Sequence, residues 1–205
     1  MKKTKNSQVK TPTQGRSENL VQSILTAATR ILEKSGFDQS TTNRIAEVAG
    51  VSIGSFYQYF PNKGALVAAL IDRQIEKNLS KMEETIHSAP HENLAQAIPY
   101  LVDAVVELLW QEKGFFSKLF VEALRLNRVE LLVKARESGA QLFESILNQH
   151  RDELESQDTA KLAFVCTNAV MGVIQISVLS VSPVLDKEAL KEELVKLVCG
   201  YLVIR

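Results

Sequence analysis

A short segment between residues 41 and 60 contains the side chains best suited to chemistry in this sequence. Thr41-Thr42-Asn43-Arg44 opens it, Ser52-Ile53-Gly54-Ser55 lies in its middle, and Tyr57-Gln58-Tyr59 closes it. Their hydroxyl, amide and guanidinium groups form hydrogen bonds, but no nucleophile is paired with a base. Such groups suit contacts with phosphates and base edges. The residue types therefore indicate nucleic-acid binding and argue against an enzyme.

Two short helices at 42–49 and 53–59 are expected to position these side chains. Gly50 supplies the positive φ that the turn needs, and Ser52 is a suitable N-cap for the second helix. Ala46 is small enough for the two helices to cross closely. The apolar residues are predicted to bury the inner face of the pair, namely Ile45, Val51, Ile53, Phe56 and Phe60.

The outer face of the second helix is then polar, short or amphipathic, and such a helix fits a DNA major groove. Gly54 leaves room where the backbone and DNA approach most closely. Thr42 and Lys63 lie at helix N-termini, where amides and the helix dipole favour a phosphate. The simpler alternative to DNA binding is that the two helices only form a tight pair within a protein core. DNA binding is favoured by three features together, namely the polar face, Lys63 and the basic N-terminal segment.

Charge is distributed unevenly along the chain. The 24 basic and 24 acidic residues cancel, which argues against indiscriminate binding to nucleic acid. Residues 1–63 carry nine Lys or Arg and four acids, a net charge of +5, so the remainder carries −5. Only the N-terminal part is therefore expected to meet phosphate.

The hydrophobic periodicity predicts an all-α fold of about nine helices. The three domains expected are a flexible basic arm at 1–16, a helix-turn-helix domain at 17–63, and a helical effector-binding and dimerisation domain at 64–205. The arm could follow DNA or remain a solvated tail. The helices are predicted at about 17–35, 42–49, 53–59, 63–84, 92–112, 115–126, 129–152, 158–181 and 187–203.

Residues 24–70 resemble the tetracycline-repressor (TetR) family. The likeness lies in Gly36-Phe37, Ala49-Gly50-Val51-Ser52, Tyr57-Gln58-Tyr59-Phe60 and Asn62-Lys63. It implies a homodimeric repressor of a palindromic double-stranded operator, released by a small-molecule effector in the C-terminal domain. It also implies phosphate contacts from Thr42, Tyr57, Tyr59 and Lys63. Base-reading or supporting positions are implied for Arg44, Ser52, Gly54 and Ser55.

An apolar cluster in the middle helices is either simple core or the lining of a pocket for an apolar or aromatic effector. The pocket alternative follows from the family resemblance, because the residue pattern fits both. The residues proposed for it are Tyr100, Leu109, Trp110, Phe116, Phe120 and Leu124.

The last two helices, about 158–181 and 187–203, are apolar around most of their circumference. One core cannot cover that much apolar surface. We therefore expect these two helices to form a four-helix bundle with the same two helices of a second subunit across a two-fold axis. A purely intramolecular core is the alternative. The small residues Ala163 and Gly172 would permit close approach. Polar residues and Pro183 interrupt the apolar run Leu162–Leu185, which argues against a membrane span.

No metal or cofactor is expected. His87 and His91 are four residues apart, but Pro90 interrupts their helix and no cysteine joins them. Cys166 and Cys199 are predicted to be free thiols in a reducing cytoplasm, and no signal peptide is recognised. Control by a protein partner or by oxidation of Cys166 is the alternative to a ligand. A helical enzyme or membrane scaffold would leave the 41–63 pattern unexplained.

Overall fold

The computed structural model describes residues 13–36, 40–89, 92–180 and 182–202. Within these ranges the chain forms nine α-helices, one 3-10 turn and no β-strand, so the predicted all-α class is confirmed. The helices belong to two compact units, one ending at Leu66 and the other beginning at Val67. The boundary lies a few residues beyond the expected one at 63/64.

The first unit contains α1 (Thr13–Ser35), α2 (Thr42–Ala49) and α3 (Ile53–Tyr59). α1 begins at Thr13, so it includes the last four residues of the segment 1–16 that was expected as an arm. The polar residues there have no apolar period to mark a helix. Extending an existing helix costs far less than nucleating one, so α1 can begin before its first periodic apolar residue. Residues 1–12, the rest of the arm, lie outside the described residues.

Local capping fixes the turns of this unit as predicted. Gly36 and Gly50 have φ values of 73° and 68°, in the left-handed region that glycine enters without strain. The N–H of Gly50 donates to the carbonyl of Glu47 at 3.1 Å, which closes α2. The Ser52 hydroxyl accepts from the N–H of Ser55 at 3.0 Å and caps α3.

The core of the first unit joins α1 to the helical pair. Ile24, Ala28 and Leu32 of α1 are buried, as are the residues Ile45, Ala46, Phe56 and Phe60. Ile53 was expected on this inner face, but 40% of its surface is exposed. Cα–Cβ bonds tilt toward the N-terminus of a helix. The side chain of the first residue of α3 therefore leans past the end of the helix and away from the core.

α4 (Lys63–Ser88) begins in the first unit and continues into the second. Asn62 caps this helix, because its Oδ1 accepts from the N–H of Ala65 at 2.8 Å. The helix extends four residues beyond the predicted end at 84. His87 is therefore an exposed residue of its last turn, where a loop was expected.

The second unit is built from the remainder of α4 and five further helices. These are α5 (Leu94–Gln111), α6 (Lys113–Arg125), α7 (Val129–Gln149), α8 (Thr159–Leu179) and α9 (Lys187–Leu202). α7 packs along α8, and α5 packs along α9. The core between them is apolar and includes Leu94, Ile98, Val106, Leu147, Leu154, Ile174, Leu190 and Leu194.

Two helix ends differ from the predicted ones because side chains elsewhere hold them. The break expected at Gly114 occurs at Glu112, whose carboxylate accepts from Gln74 and pairs with Lys77 of α4. α7 ends at Gln149 instead of 152, and a 3-10 turn follows at Arg151–Glu153. Glu153 in this turn accepts from the N–H of Leu94 at 2.8 Å, so it satisfies the N-terminus of α5.

Among the described helices, α8 is the one long and apolar enough to cross a membrane by length and composition. One side of it is buried in the core of the second unit, through Leu162, Cys166, Val170, Ile174 and Val178. These residues recur every four positions and belong to the apolar core of the second unit. The apolar character of this side of α8 is thus explained by intramolecular packing.

Candidate nucleic-acid interface and apolar cavity

The eight residues predicted to contact DNA all belong to α2, α3, the turn between them or the first turn of α4, and this part of the first unit is here termed the HTH face. Thr42 and Tyr57 are joined at this face by a hydrogen bond of 3.0 Å between their hydroxyl oxygens. Tyr57 is 47% exposed. The bond ties the first residue of α2 to α3 and holds two hydroxyls together. Such a pair can donate to one phosphate oxygen while remaining ordered.

Arg44 and Ser55 also lie on the HTH face. Arg44 Nη1 pairs with Glu47 Oε2 at 2.9 Å, and both side chains are exposed. A surface ion pair of this kind is worth about 1 kcal/mol or less, so Arg44 can exchange it for another acceptor. Ser55 is half-buried, and its hydroxyl is 2.8 Å from that of Ser52.

Two predicted DNA contacts already have structural roles. Ser52 caps α3, as described above. The Tyr59 hydroxyl donates to the Ser17 hydroxyl at 3.1 Å, and Tyr59 is half-buried. This bond fastens the end of α3 to α1. The phosphate contact of Tyr59 stays a prediction, and its hydroxyl would have to exchange the bond to Ser17 for one to a phosphate.

Gly54 and Lys63 are placed as the sequence suggested. A Cβ added at Gly54 would meet nothing nearer than the Ser52 hydroxyl at 3.8 Å, so the surface above it is open. Lys63 is the first residue of α4, after the Asn62 cap. Ile53 is the residue whose exposure on this face the sequence pattern did not predict. Its position directly after the cap was the available signal, because the first residue of a short helix is poorly covered.

An apolar cavity of about 220 Å³ lies within the second unit. α4, α5, α6, α7 and α8 all contribute to its lining, which is largely aliphatic and aromatic. Ile75, Leu79 and Met82 come from α4, and Phe143 and Ile146 come from α7. The polar lining side chains are few, namely Gln74, Asn78, Arg136 and Thr167.

Three of the six residues predicted for an effector pocket line this cavity, namely Leu109, Phe116 and Phe120. The other three do not line it. Tyr100 and Leu124 are exposed on the outer sides of α5 and α6. Trp110 lies against Lys113, whose Nζ is 5.1 Å from the ring centroid, beside a separate pocket. Each of the three is close in sequence to a lining residue but points to a different side of its helix.

Cys166 also lines the cavity, and Cys199 lies near it on α9. Both thiols are free, as predicted. Burial raises the pKa of Cys166 to about 11, and nearby Cys199 adds to the rise. Few Cys166 thiolates therefore exist at neutral pH, and the thiolate is the form that reacts with oxidants.

The sides of α8 and α9 that no described element covers present large apolar residues. Phe164 and Ile176 of α8 are 62% and 68% exposed, and Leu197 and Tyr201 of α9 are also exposed. A Cβ added at Gly172 would meet no atom within 4 Å. Ala163 was expected to contribute to this surface, but it is buried in the core. This surface, the α8–α9 face, is unusually apolar for one in contact with water.

A helix-turn-helix unit followed by a helical unit with an internal apolar cavity defines a class of DNA-binding regulator. Comparison with known proteins then identifies the family. Residues 24–70 match the family described as "Bacterial regulatory proteins, tetR family", and residues 93–202 match the "Tetracyclin repressor-like, C-terminal domain". The chain belongs to the TetR family, so the resemblance of residues 24–70 is confirmed and extends to most of the chain.

Individual relatives agree with this assignment. The chain is 30% identical to the nucleoid occlusion factor SlmA of Glaesserella parasuis serovar 5 over 140 residues, which are 68% of this chain and 66% of SlmA. It is 25% identical to the HTH-type transcriptional regulator UidR of Escherichia coli K12 over 114 residues, 54% of this chain and 55% of UidR. The matches thus span two thirds or less of these curated relatives.

A solved structure confirms the fold over nearly the whole chain. The TetR transcription regulator from Haloarcula marismortui superposes with a TM-score of 0.71 at 19% identity, covering 92% of this chain and 100% of that one. Family membership also supports the prediction that the chain is a regulator and not an enzyme.

Proposed function

We propose that this protein is a cytoplasmic, homodimeric repressor that binds a palindromic operator and is released by an apolar small molecule. The observation that carries the proposal is the HTH face, where capped α3 presents short polar side chains beside Tyr57 and Lys63. The charge distribution supports it, since residues 1–63 carry +5 in a chain of zero net charge. A positively charged segment of this kind attracts DNA, while the acidic remainder avoids it.

Two kinds of DNA contact are assigned on this face. Thr42, Tyr57 and Lys63 would meet phosphates, which set affinity and register without reading sequence. Arg44 and Ser55 would approach base edges. Ile53 is a further base contact in this proposal, because an exposed aliphatic side chain at the start of the recognition helix suits the methyl group of thymine.

Homodimerisation through the α8–α9 face follows from its exposed apolar residues. Two copies related by a two-fold axis would cover Phe164, Ile176 and Leu197 on both protomers, forming a four-helix bundle. A dimer presents two HTH faces, and a palindrome presents two equivalent half-sites. The symmetry of the protein would thus determine the symmetry of its operator.

The cavity is assigned to the effector. Its lining includes residues of α4 from Ile71 to Ile86, and the same helix begins at Lys63 of the HTH face. An effector that changes the position of α4 would therefore change the presentation of Lys63. Effectors act by binding the DNA-competent and released forms unequally, so DNA must weaken effector binding by the same factor.

Control by oxidation of Cys166 is disfavoured by the buried position and raised pKa of that thiol. Control by a protein partner remains the competing regulatory mechanism. The two mechanisms differ in one measurable respect. Only a ligand-controlled repressor should release DNA in a mixture that contains purified protein, operator and a small molecule.

The proposal is tested by selecting genomic DNA fragments that bind the full-length protein and measuring affinity by fluorescence anisotropy. The expected result is enrichment of a palindrome, with binding far tighter than to the same duplex with its half-sites scrambled. Equal affinity for both duplexes at all salt concentrations would contradict sequence-specific recognition. A panel of apolar and aromatic compounds is then added to the complex, and release of DNA by none of them would favour the partner-controlled mechanism.

A further inference from the structure

One charged side chain lines the apolar cavity within the part of the chain that the structure describes, and it is Arg136 of α7. The other polar side chains that contribute to the lining are neutral, namely Gln74, Asn78 and Thr167. No carboxylate of the described residues belongs to the lining. The cavity therefore combines an extended apolar wall with one fixed positive charge.

The partners of Arg136 orient its guanidinium without neutralising it. Nη1 donates to Asn168 Oδ1 at 3.3 Å, and Nη2 donates to Gln175 Oε1, both on α8. Asn168 is itself held in place, because its Nδ2 donates to the carbonyl of Phe164 at 2.9 Å. A guanidinium has five N–H donors, so these two bonds leave three N–H groups that no described residue accepts.

From this arrangement we infer that Arg136 binds the acid group of the effector, and that the effector is a carboxylic acid with a long apolar chain. The inference rests on the proposed function of the cavity and specifies its ligand class. A half-buried positive charge beside apolar surface is costly unless an anion pairs with it. A carboxylate accepts two parallel bonds from a guanidinium, which is among the strongest charged contacts in proteins.

The same arrangement excludes cationic effectors. A ligand cation in this cavity would meet Arg136 and no acidic residue of the described lining, so it would be repelled without compensation. A neutral chain would gain the apolar contacts but would leave the guanidinium unpaired. The order of affinity expected is therefore acid first, neutral ester second and cation last.

Isothermal titration calorimetry on the full-length dimer tests this order. The ligands are straight-chain carboxylates from octanoate to hexadecanoate, their methyl esters, and alkyltrimethylammonium ions of the same chain lengths, all at pH 8 and below their micellar concentrations. For the best chain length, the wild-type protein should bind the acid about tenfold to a hundredfold more tightly than its ester.

Variants assign that preference to one residue. Arg136→Gln should reduce the acid-to-ester ratio to about one, and Arg136→Lys should keep part of it because the charge remains. Lys134→Gln is the matched control, since it removes one positive charge from an exposed position of α7 outside the cavity lining. It should leave the ratio unchanged. Circular dichroism and sedimentation confirm that each variant is folded and dimeric.

Failure of the inference and failure of the proposed function give different results. If acid and ester bind equally to the wild type, or the ratio survives Arg136→Gln, the role of Arg136 is overturned while the apolar effector site stands. If Arg136→Gln instead dissociates the dimer with the ratio unchanged, the residue belongs to the subunit interface. If no acid or ester of any length binds, both the inference and the assignment of the cavity to an apolar effector are wrong.

Discussion

The α8–α9 face offers the most direct test of assembly, through the substitution Ile176→Asp. Ile176 is 68% exposed in the protomer. In a symmetric dimer, the Ile176 side chains of both protomers would be buried at the interface. Complete burial of an isoleucine side chain is worth roughly 1.5–3 kcal/mol, so its exposed fraction offers about 1–2 kcal/mol per protomer, or about 2–4 kcal/mol per dimer. The dissociation constant of the dimer should therefore rise about 30- to 700-fold. The buried carboxylate of Asp would increase it further.

Sedimentation velocity over a range from nanomolar to micromolar protein measures this constant directly. The matched control is Val121→Asp, which puts the same charge at an exposed apolar position of α6, a helix that is not one of the two forming the α8–α9 face. Circular dichroism should be unchanged in both variants, because neither side chain belongs to the core. Operator affinity at low protein concentration should fall with Ile176→Asp alone, since one protomer reaches only one half-site.

The reasoning would be refuted by a wild-type protein that is monomeric at micromolar concentration. It would also be refuted if Ile176→Asp and the wild type dissociated at the same concentration. Dissociation caused by Val121→Asp alone would move the interface to α6.

Other substitutions test the HTH face, the close approach at α8 and the ion pairs of α9. Lys63→Ala should weaken binding to all DNA sequences similarly and lower the slope of log affinity against log salt by roughly one per subunit, measured by anisotropy at several salt concentrations. Ile53→Ala should instead relax the preference for thymine at one position per half-site by about 1–3 kcal/mol, read from a set of single-base operator variants. Gly172→Arg should dissociate the dimer in sedimentation while leaving the protomer folded, because no described residue outside the backbone of α8 lies within 4 Å of a Cβ there. Glu107→Gln should lower the free energy of unfolding in urea at pH 7, and by less at pH 3. The pKa of Glu107 is lowered from 4.5 to about 2 by Lys187 and Lys191, so its stabilising effect is complete above about pH 4.5 and is lost as the pH falls through 2.

Local signals were sufficient to predict the turns of this fold. Gly50 adopts the positive φ expected of it, and Ser52 accepts the backbone bond expected of a cap. Each of these features depends on residues within four positions of one another. A sequence shows such relations directly, which is why the helix-turn-helix was predicted at its observed boundaries.

Helix ends that depend on distant residues were not predictable in the same way. α6 begins at Lys113, two residues before the predicted start, directly after Glu112, which is bound to Gln74 and Lys77 of α4. α7 stops at Gln149, before the turn in which Glu153 binds the N-terminus of α5. Neither set of partners is near in sequence, so the periodicity alone did not locate these two helix ends.

The lining of the cavity was only partly predictable from the residue pattern. The apolar cluster was recognised, but Tyr100, Trp110 and Leu124 proved to face other directions, because adjacent residues on a helix point about 100° apart. The signal for Arg136 was present in the sequence of α7. The apolar stripe at 132, 135, 139, 142, 143 and 146 recurs at spacings of three or four, and position 136 lies within it. A cation on an apolar stripe is the kind of exception that indicates a ligand.

Several polar side chains of the HTH face bind within the protein as well as being available to DNA. Ser52 caps α3, Tyr59 is bonded to Ser17, and the Thr42 and Tyr57 hydroxyls are bonded to each other. Loss of any of these groups would loosen α3 before any DNA contact is lost, so reduced operator affinity in such variants has two causes. The Ile53 side chain is 40% exposed, and the cap of α3 is Ser52 instead. Substitution of Ile53 therefore separates recognition from folding more cleanly than substitution of the hydroxyl residues.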